Sequence, residues 1–204
     1  MHKKLMIVGA SGHGKVIADI AHKNGYDDIC FLDDNVRKKE CAGCPVIGTS
    51  GDAIRFADCD FIVGIGANTI RKKVQMQLAE QGLKIVSLIH PNAVIADDVV
   101  IGSGTVIMAG AVVNPATVIG KGCIINTGAT VDHDNIIADF VHISVGGHLA
   151  GTVKIGEGTM IGAGAVLSNN VRVCGGTMVG AGTVVIRDIK DCGTYVGVPA
   201  RKIK

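Results

Sequence analysis

The residues best suited to chemistry lie in one stretch, Asn126-Thr127-Gly128-Ala129-Thr130-Val131-Asp132-His133-Asp134. A neutral imidazole near pH 7 is the natural general base, provided that a carboxylate or carbonyl fixes its tautomer. Asp132 and Asp134 both flank His133. Adjacent residues on an extended chain point opposite ways, so spacing alone leaves the orienting carboxylate open between the two. A second group lies nearer the N-terminus, at the ends of aliphatic runs: Ser11-Gly12-His13, Asp33-Asp34 and Gly66-Ala67-Asn68. Glycine loops before helices let backbone amides approach an anion. An acidic pair ending a strand is placed to accept hydrogen bonds from a nucleoside ribose or base edge, although such a pair can also be merely solvated.

These candidates need a frame, and the chain shows one. From Ile89 to Val185 an aliphatic residue returns at every sixth position without a miss. Helices repeat every three to four residues and strands every two, so neither produces a period of six. Fixed-period self-similarity marks a solenoid, in which each repeat buries its apolar residue only by stacking on the next. Six-residue repeats suit a parallel β-helix with three short faces and 18 residues per coil. The residue four places after each aliphatic is mostly small or β-branched, as at Ala111, Ala129, Ala165 and Thr183, and fits the corners. Stacking then sets Val131 on Leu149, Asp132 on Ala150, Asn126 on Ser144 and His133 on Gly151. The bare Gly151 offers a backbone N–H that could stabilise a developing oxyanion.

The first 88 residues read differently. Residues 4–9 form an expected buried strand, followed by a glycine loop over 9–14 and a helix from Lys15 to Lys23 with Val16, Ile17, Ile20 and Ala21 on one face. A second strand covers 29–32, and a polar stretch leads to a third at 60–66. A helix over 69–81 places Ile70, Val74 and Leu78 together, and a fourth strand covers 84–88. The pattern predicts a Rossmann-like parallel sheet whose strand tips share one edge, where ligands bind. Gly9 to Lys15 fits G-x-x-x-x-G-K, but Val16 stands where a magnesium-binding Ser or Thr is required. The dinucleotide fingerprint is irregular as well. The expected domains are 1–88, an α/β nucleotide-binding unit, and 89–204, the solenoid with an extended C-terminal tail, joined without a linker.

A net charge of +2 and only six Phe and Tyr with no Trp give no footing for nucleic acid. The start, Met1-His2-Lys3-Lys4 before Leu5-Met6-Ile7-Val8, has too short an apolar run for a signal peptide and reads as a first strand. Residues 99–120 carry no charge, but the six-residue period runs through them, which favours solenoid over membrane span. Seven cysteines without framework spacing fit reduced thiols in the cytoplasm, and Cys41-x-x-Cys44 reads as a loop with two free thiols. His133, His142 and His148 could ligate zinc, as in a β-helical hydratase. Their spacings of nine and six miss the 18-residue stack, so no metal is expected.

The whole chain resembles the hexapeptide-repeat sugar O/N-acetyltransferases, the family of the bacillosamine-pathway UDP-4-amino-sugar N-acetyltransferases and of sialic-acid O-acetyltransferases. The resemblance rests on Gly9-Ala10-Ser11-Gly12-His13-Gly14, Phe31-Leu32-Asp33-Asp34, Gly64-Ile65-Gly66, Asn126-Thr127, Val131-Asp132-His133-Asp134, His142-Ile143-Ser144-Val145-Gly146, Leu149-Ala150-Gly151 and Val196-Gly197-Val198-Pro199-Ala200. It implies a left-handed coil, a homotrimer with active sites between protomers, and direct acetyl transfer from acetyl-CoA without metal. His133 would be the base, assisted by Asp134. Acetyl-CoA would meet His142, Gly151 and Ala163. A nucleotide-linked sugar would meet Ser11, Gly12, His13, Asp33, Asp34 and Gly66, with Asn126 in the substrate site. The acidic pair favours a UDP-linked 4-amino-4,6-dideoxy sugar. GDP- or dTDP-linked amino sugars, O-acetylation of a sialic-acid-like sugar, and a non-enzymatic trimeric nucleotide-binding scaffold are the competing readings.

Overall fold

The computed structural model describes residues 4–204; the basic start at residues 1–3, weighed above against a signal peptide, lies outside them. The chain divides into two compact units between Pro91 and Asn92, rather than after residue 88. The Asn24 side chain donates to the Ile89 carbonyl at 2.9 Å, which ties that segment to the first unit. Among the described residues no helix is long and apolar enough to cross a membrane.

The first unit runs β1 (Lys4–Val8), α1 (Gly12–Lys23), β2 (Asp28–Leu32), β3 (Glu40–Cys41), β4 (Cys44–Gly48), a 3₁₀ turn (Ser50–Phe56), β5 (Asp60–Val63), α2 (Asn68–Glu80) and β6 (Lys84–Ile85). The sheet order is β3-β4-β2-β1-β5-β6, parallel except where β3 runs against β4. Strand order reverses at β1, so the loops after β1 and β5 border the switch-point crevice where α/β sheets take ligands. Met6, Val8, Leu32, Phe61, Val63 and Leu78 form the core on one side of this sheet.

Several local expectations change. Helix α1 begins at Gly12, with Ser11 at its N-cap, so half of the expected glycine loop is the first helical turn. The tight approach explains the glycines. A Cβ on Gly14 would collide with the Gly9 carbonyl, and one on Gly64 would stand 2.9 Å from the Gly14 Cα. Val16 and Ile70 are 39% and 51% exposed instead of joining the buried helix faces. Their helices pack through Ile17, Ile20 and Ala21, and through Leu78. The Cys41-to-Cys44 segment is not a loop but a two-residue hairpin. Ala42 and Gly43 both hold positive φ (52° and 76°), the twist that matches paired strands. Both cysteines are buried and free.

The second unit is a left-handed parallel β-helix. Two-residue strands recur every six residues and pair in parallel with the strand 18 residues on, as in Val113, Val131, Leu149, Leu167 and Val185. The interior column is buried from Ile107 to Val185. Ile95 and Ile101 are only half-buried, because an end coil has a neighbour within the solenoid on one side alone. Corners turn through residues of positive φ. Glycine fills most of these sites, but one corner is built from Ala116, Asp134, Thr152 and Asn170, at φ 57° to 63°.

The corner columns carry a polar ladder that hydropathy alone does not reveal. Thr105, Thr117 and Thr159 are wholly buried, and each hydroxyl donates to the carbonyl 15 residues on. Asn135 does the same to Ala150, and its Oδ1 accepts the Val153 N–H at 3.1 Å. Asn135 Nδ2 and Thr117 Oγ1 also share the Asp132 carbonyl, pinning the backbone next to His133 from two coils. Asn135→Ala strands these buried groups and should destabilise the protein by about 2–4 kcal/mol. Asn135→Thr, which restores the rung seen at Thr117, should recover much of the loss; thermal unfolding of the two variants measures both.

Candidate active site

His133 stands on the corner that follows strand 130–131, and positive φ at Asp134 folds the next carboxylate back towards it. His133 Nδ1 lies 2.7 Å from Asp134 Oδ2. The opposite-pointing rule for extended strands does not hold at this left-handed turn, and the geometry selects Asp134 as the imidazole's partner. Asp132 is committed elsewhere: its Oδ1 accepts from Asn114 Nδ2 and from the His133 backbone N–H, each at 2.8 Å. These two bonds hold the Asp132 carboxyl below its usual range, the Asn114 bond most strongly. The hydrogen bond to Asp134 pushes the His133 pKa up, ahead of the opposing effect of burial and the added pull of Asp132. With Nδ1–H donating to a carboxylate, Nε2 carries the lone pair and can accept a proton.

Stacking sets the ring directly on Gly151. A Cβ at Gly151 would lie 2.7 Å from both His133 Cε1 and Nε2, so only glycine leaves room for the imidazole. The Gly151 carbonyl accepts from Asn170, while its N–H has no intramolecular partner among the described residues. Ala150 precedes it and has no acceptor side chain, whereas the equivalent N–H of His133 is taken by Asp132.

The remaining coil candidates form a second cluster. His142 is 9% exposed, and its Nε2 lies 3.1 Å from Asn126 Nδ2. Residues assigned above to different ligands therefore touch each other. Ala163 is exposed at the following turn. Strand 130–131 runs between the Asn126 corner and the His133 corner, so one protomer presents the two clusters at opposite edges of a single face. His148 meets Thr130 Oγ1 through Nδ1 at 2.9 Å and lies away from the dyad's hydrogen bonds.

In the first unit, a cavity of about 300 Å³ opens at the strand tips between Gly9, Ser11, Asp33, Asp34, Ile65 and Ile70. Exposed Ile70 is thus the apolar wall of a pocket. Ser11 Oγ donates to the Gly64 carbonyl at 3.3 Å. Gly12 is exposed, and His13 and Gly66 are half-buried beside it on the loop and first turn. The two acidic residues differ. Asp33 accepts from the Ala10 and Asn35 N–H groups and from Lys38 Nζ, at 2.7 to 3.0 Å. Burial opposes its ionisation most, yet those three bonds together hold its carboxyl below the usual range. Asp34 is exposed and gives one oxygen to the Ser50 N–H at 2.9 Å, leaving the other for a ligand.

Two positioning residues escape a linear reading. Arg71 looks like a solvated cation at a helix start, but it is 1% exposed. Its guanidinium holds the Ile65 and Gly66 carbonyls and Asn68 Oδ1, which shapes the β5 tip. Lys38, in the polar stretch, ties Ala10 O to Asp33. No spacing rule marks either one.

Residues 4–78 match the family model described as the PglD N-terminal domain, and residues 86–115 and 98–133 match the bacterial transferase hexapeptide model. The chain is 42% identical to the acetyltransferase domain of PglB from Neisseria gonorrhoeae FA1090, solved in complex with acetyl coenzyme A. The TM-score is 0.95, with 100% of both chains covered. It is 33% identical to PerB from Caulobacter crescentus in complex with CoA and GDP-perosamine, at TM-score 0.95 over 100% and 99% of the two chains. A curated relative, UDP-N-acetylbacillosamine N-acetyltransferase of Bacillus subtilis (strain 168), is 39% identical over 113 residues, 52% of each chain. The chain spans about half the length of the curated relatives it matches. It belongs to the hexapeptide-repeat sugar acetyltransferases that carry a PglD-type N-terminal domain.

Two outcomes follow from the dyad. Asp134 favours the imidazolium, so any proton-accepting role of His133 is lost as pH falls through its raised pKa. Asp134→Asn should move the acid limb of the kcat/KM profile to lower pH while lowering turnover. Gly151→Ala should displace the ring and reduce kcat by roughly 10- to 100-fold with the fold intact by circular dichroism.

Proposed function

We propose that the protein is an acetyl-CoA-dependent N-acetyltransferase acting on the 4-amino group of a nucleotide-linked 4-amino-4,6-dideoxy sugar for bacterial glycan synthesis, with UDP as the favoured nucleotide. The observation that carries this reading is the His133–Asp134 pair seated on Gly151, in a chain whose relatives hold acetyl-CoA and nucleotide-linked amino sugars. His133 Nε2 takes a proton from the sugar nitrogen as that nitrogen attacks the thioester carbon. The tetrahedral oxyanion is stabilised by an unpaired amide such as that of Gly151. The C–S bond then breaks, the CoA thiolate leaves and the amide remains. No covalent enzyme intermediate is required.

The Ser11–His13 turn, Asp34 and Gly66 surround the sugar nucleotide in this reading, and Asp33 acts mainly by shaping the pocket. Asp34 can accept from a ribose hydroxyl or a base N–H. His142, Gly151 and Ala163 contact acetyl-CoA, with Asn126 towards the acceptor. Because the two coil clusters occupy opposite edges of one face, a site that uses both takes one edge from each of two protomers in a homotrimer. A GDP-linked amino sugar is the second reading, supported by the relatives that act on or bind GDP-perosamine.

His133→Ala should lower turnover by roughly 10²–10⁴ while CoA binding stays largely intact. Near-normal turnover would remove His133 from the role. Assaying UDP-, GDP- and dTDP-linked 4-amino sugars with acetyl-CoA identifies the acceptor, and release of thiol without any accepting sugar would count against the reading.

A further inference from the structure

Cys41 and Cys44 have no part in the transfer chemistry, and their placement differs from that of the other buried thiols. Cys123 holds a threonine place in the corner ladder, with Sγ donating to the Ala138 carbonyl at 3.1 Å. Cys59 packs into the core beside the sheet. Cys41 and Cys44 instead face each other directly across the hairpin. The Val46 N–H donates to the Lys39 carbonyl two residues farther along, which makes the two cysteines a hydrogen-bonded pair. Cα atoms in such a pair lie roughly 5.5 Å apart, within the reach of a disulfide. Directly opposed side chains share one face of the sheet. Both are buried, at 6% and 7% exposure.

An imidazole stands beside them. His22 Nδ1 meets the Tyr26 carbonyl at 3.2 Å. A carbonyl only accepts, so Nδ1 carries the hydrogen and Nε2 the lone pair. Nε2 faces Cys44 Sγ at 4.0 Å, and the Ala42 carbonyl lies 3.7 Å from the same sulfur. Burial pushes the Cys44 thiol up, ahead of the charges of Cys41 and Glu40, so Cys44 rests as a thiol. His22 is the group placed to take its proton. We propose that Cys41, Cys44 and His22 form a dithiol site that reacts with hydroperoxides and closes to a reversible disulfide. His22 Nε2 takes the Cys44 proton, and the thiolate attacks one peroxide oxygen. The S–O bond forms as the O–O bond breaks, and the departing oxygen recovers the proton from His22. The Cys41 sulfur then attacks the sulfenic sulfur. The S–S bond forms, the S–O bond breaks, and the Cys41 proton leaves with the oxygen as water. Two thiols are oxidised to one disulfide, and the hydroperoxide is reduced to an alcohol and water. Side chains of a hydrogen-bonded pair lie farther apart than those of the alternate kind, so the bridge is strained and open to reduction by small thiols.

Trypsin cleaves after Lys39 and Arg55, so both thiols fall in the peptide of residues 40–55, which holds no other cysteine. The folded protein is treated with hydrogen peroxide, alkylated under denaturing conditions, digested and weighed by mass spectrometry. Peptide 40–55 should lose two hydrogens and take no alkylating agent, and dithiothreitol should reverse both changes. Cys41→Ser should instead leave added oxygen on Cys44, because the second thiol is gone. His22→Gln, with its fold checked by circular dichroism, should slow closure by roughly 10- to 100-fold. A peptide that stays fully alkylated while the exposed Cys192 is oxidised would overturn the proposal, leaving the pair as core residues. Oxygen added to Cys44 in the parent protein, with Cys41 still a thiol, would overturn it too. A parental rate in His22→Gln would remove the imidazole from the step.

Discussion

Parallel backbone pairing between each residue and the residue 18 positions on carries the second unit and places everything chemical within it. Each two-residue strand is too short to hold itself, and its aliphatic side chain is buried only when the coils on both sides are present. The half-exposed Ile95 and Ile101 at the end of the stack show the cost of lacking one neighbour. Register is therefore strongly enforced, because a slip of one residue would turn the buried column outward. It also makes positions 18 apart into contacts, which is how His133 comes to lie on Gly151.

Within so regular a frame, a few deviations create the site. Asp134 occupies a corner that turns through positive φ, where the chain doubles back enough for adjacent residues to hydrogen-bond through their side chains. Asn114 draws Asp132 away, and Asn135 with Thr117 anchors the Asp132 carbonyl. The imidazole is thereby oriented by one carboxylate, and its backbone is held from the coils on either side. Such support would fix the direction of the imidazole lone pair, as general-base chemistry requires.

The first unit reaches order differently. Gly9, Gly14 and Gly64 let two strand tips and a helix approach to backbone contact at the point where strand order reverses. Arg71 and Lys38 then clamp the loops with charge-assisted hydrogen bonds to carbonyls and to Asp33. A buried arginine without such bonds would be strongly unfavourable, and its bonds to Ile65 and Gly66 are what shape the pocket rim.

Much of this was legible in the linear chain. The six-residue column announced the coil, its 18-residue stack paired His133 with Gly151, and alternating strands and helices announced the parallel sheet. These are periodic features, and period follows directly from backbone geometry. The hairpin at Cys41–Cys44 went unread because two short strands around Ala42-Gly43 leave no period to detect. Arg71, Lys38 and Asn135 looked like ordinary polar residues, since burial depends on what packs against them. The partner of His133 was likewise open until the turn at Asp134 took a left-handed conformation, which aspartate, unlike glycine, does not advertise. Spacing along a chain can say which residues share a column. Which lone pair faces which proton is decided by the corner geometry and the neighbouring coils that hold it.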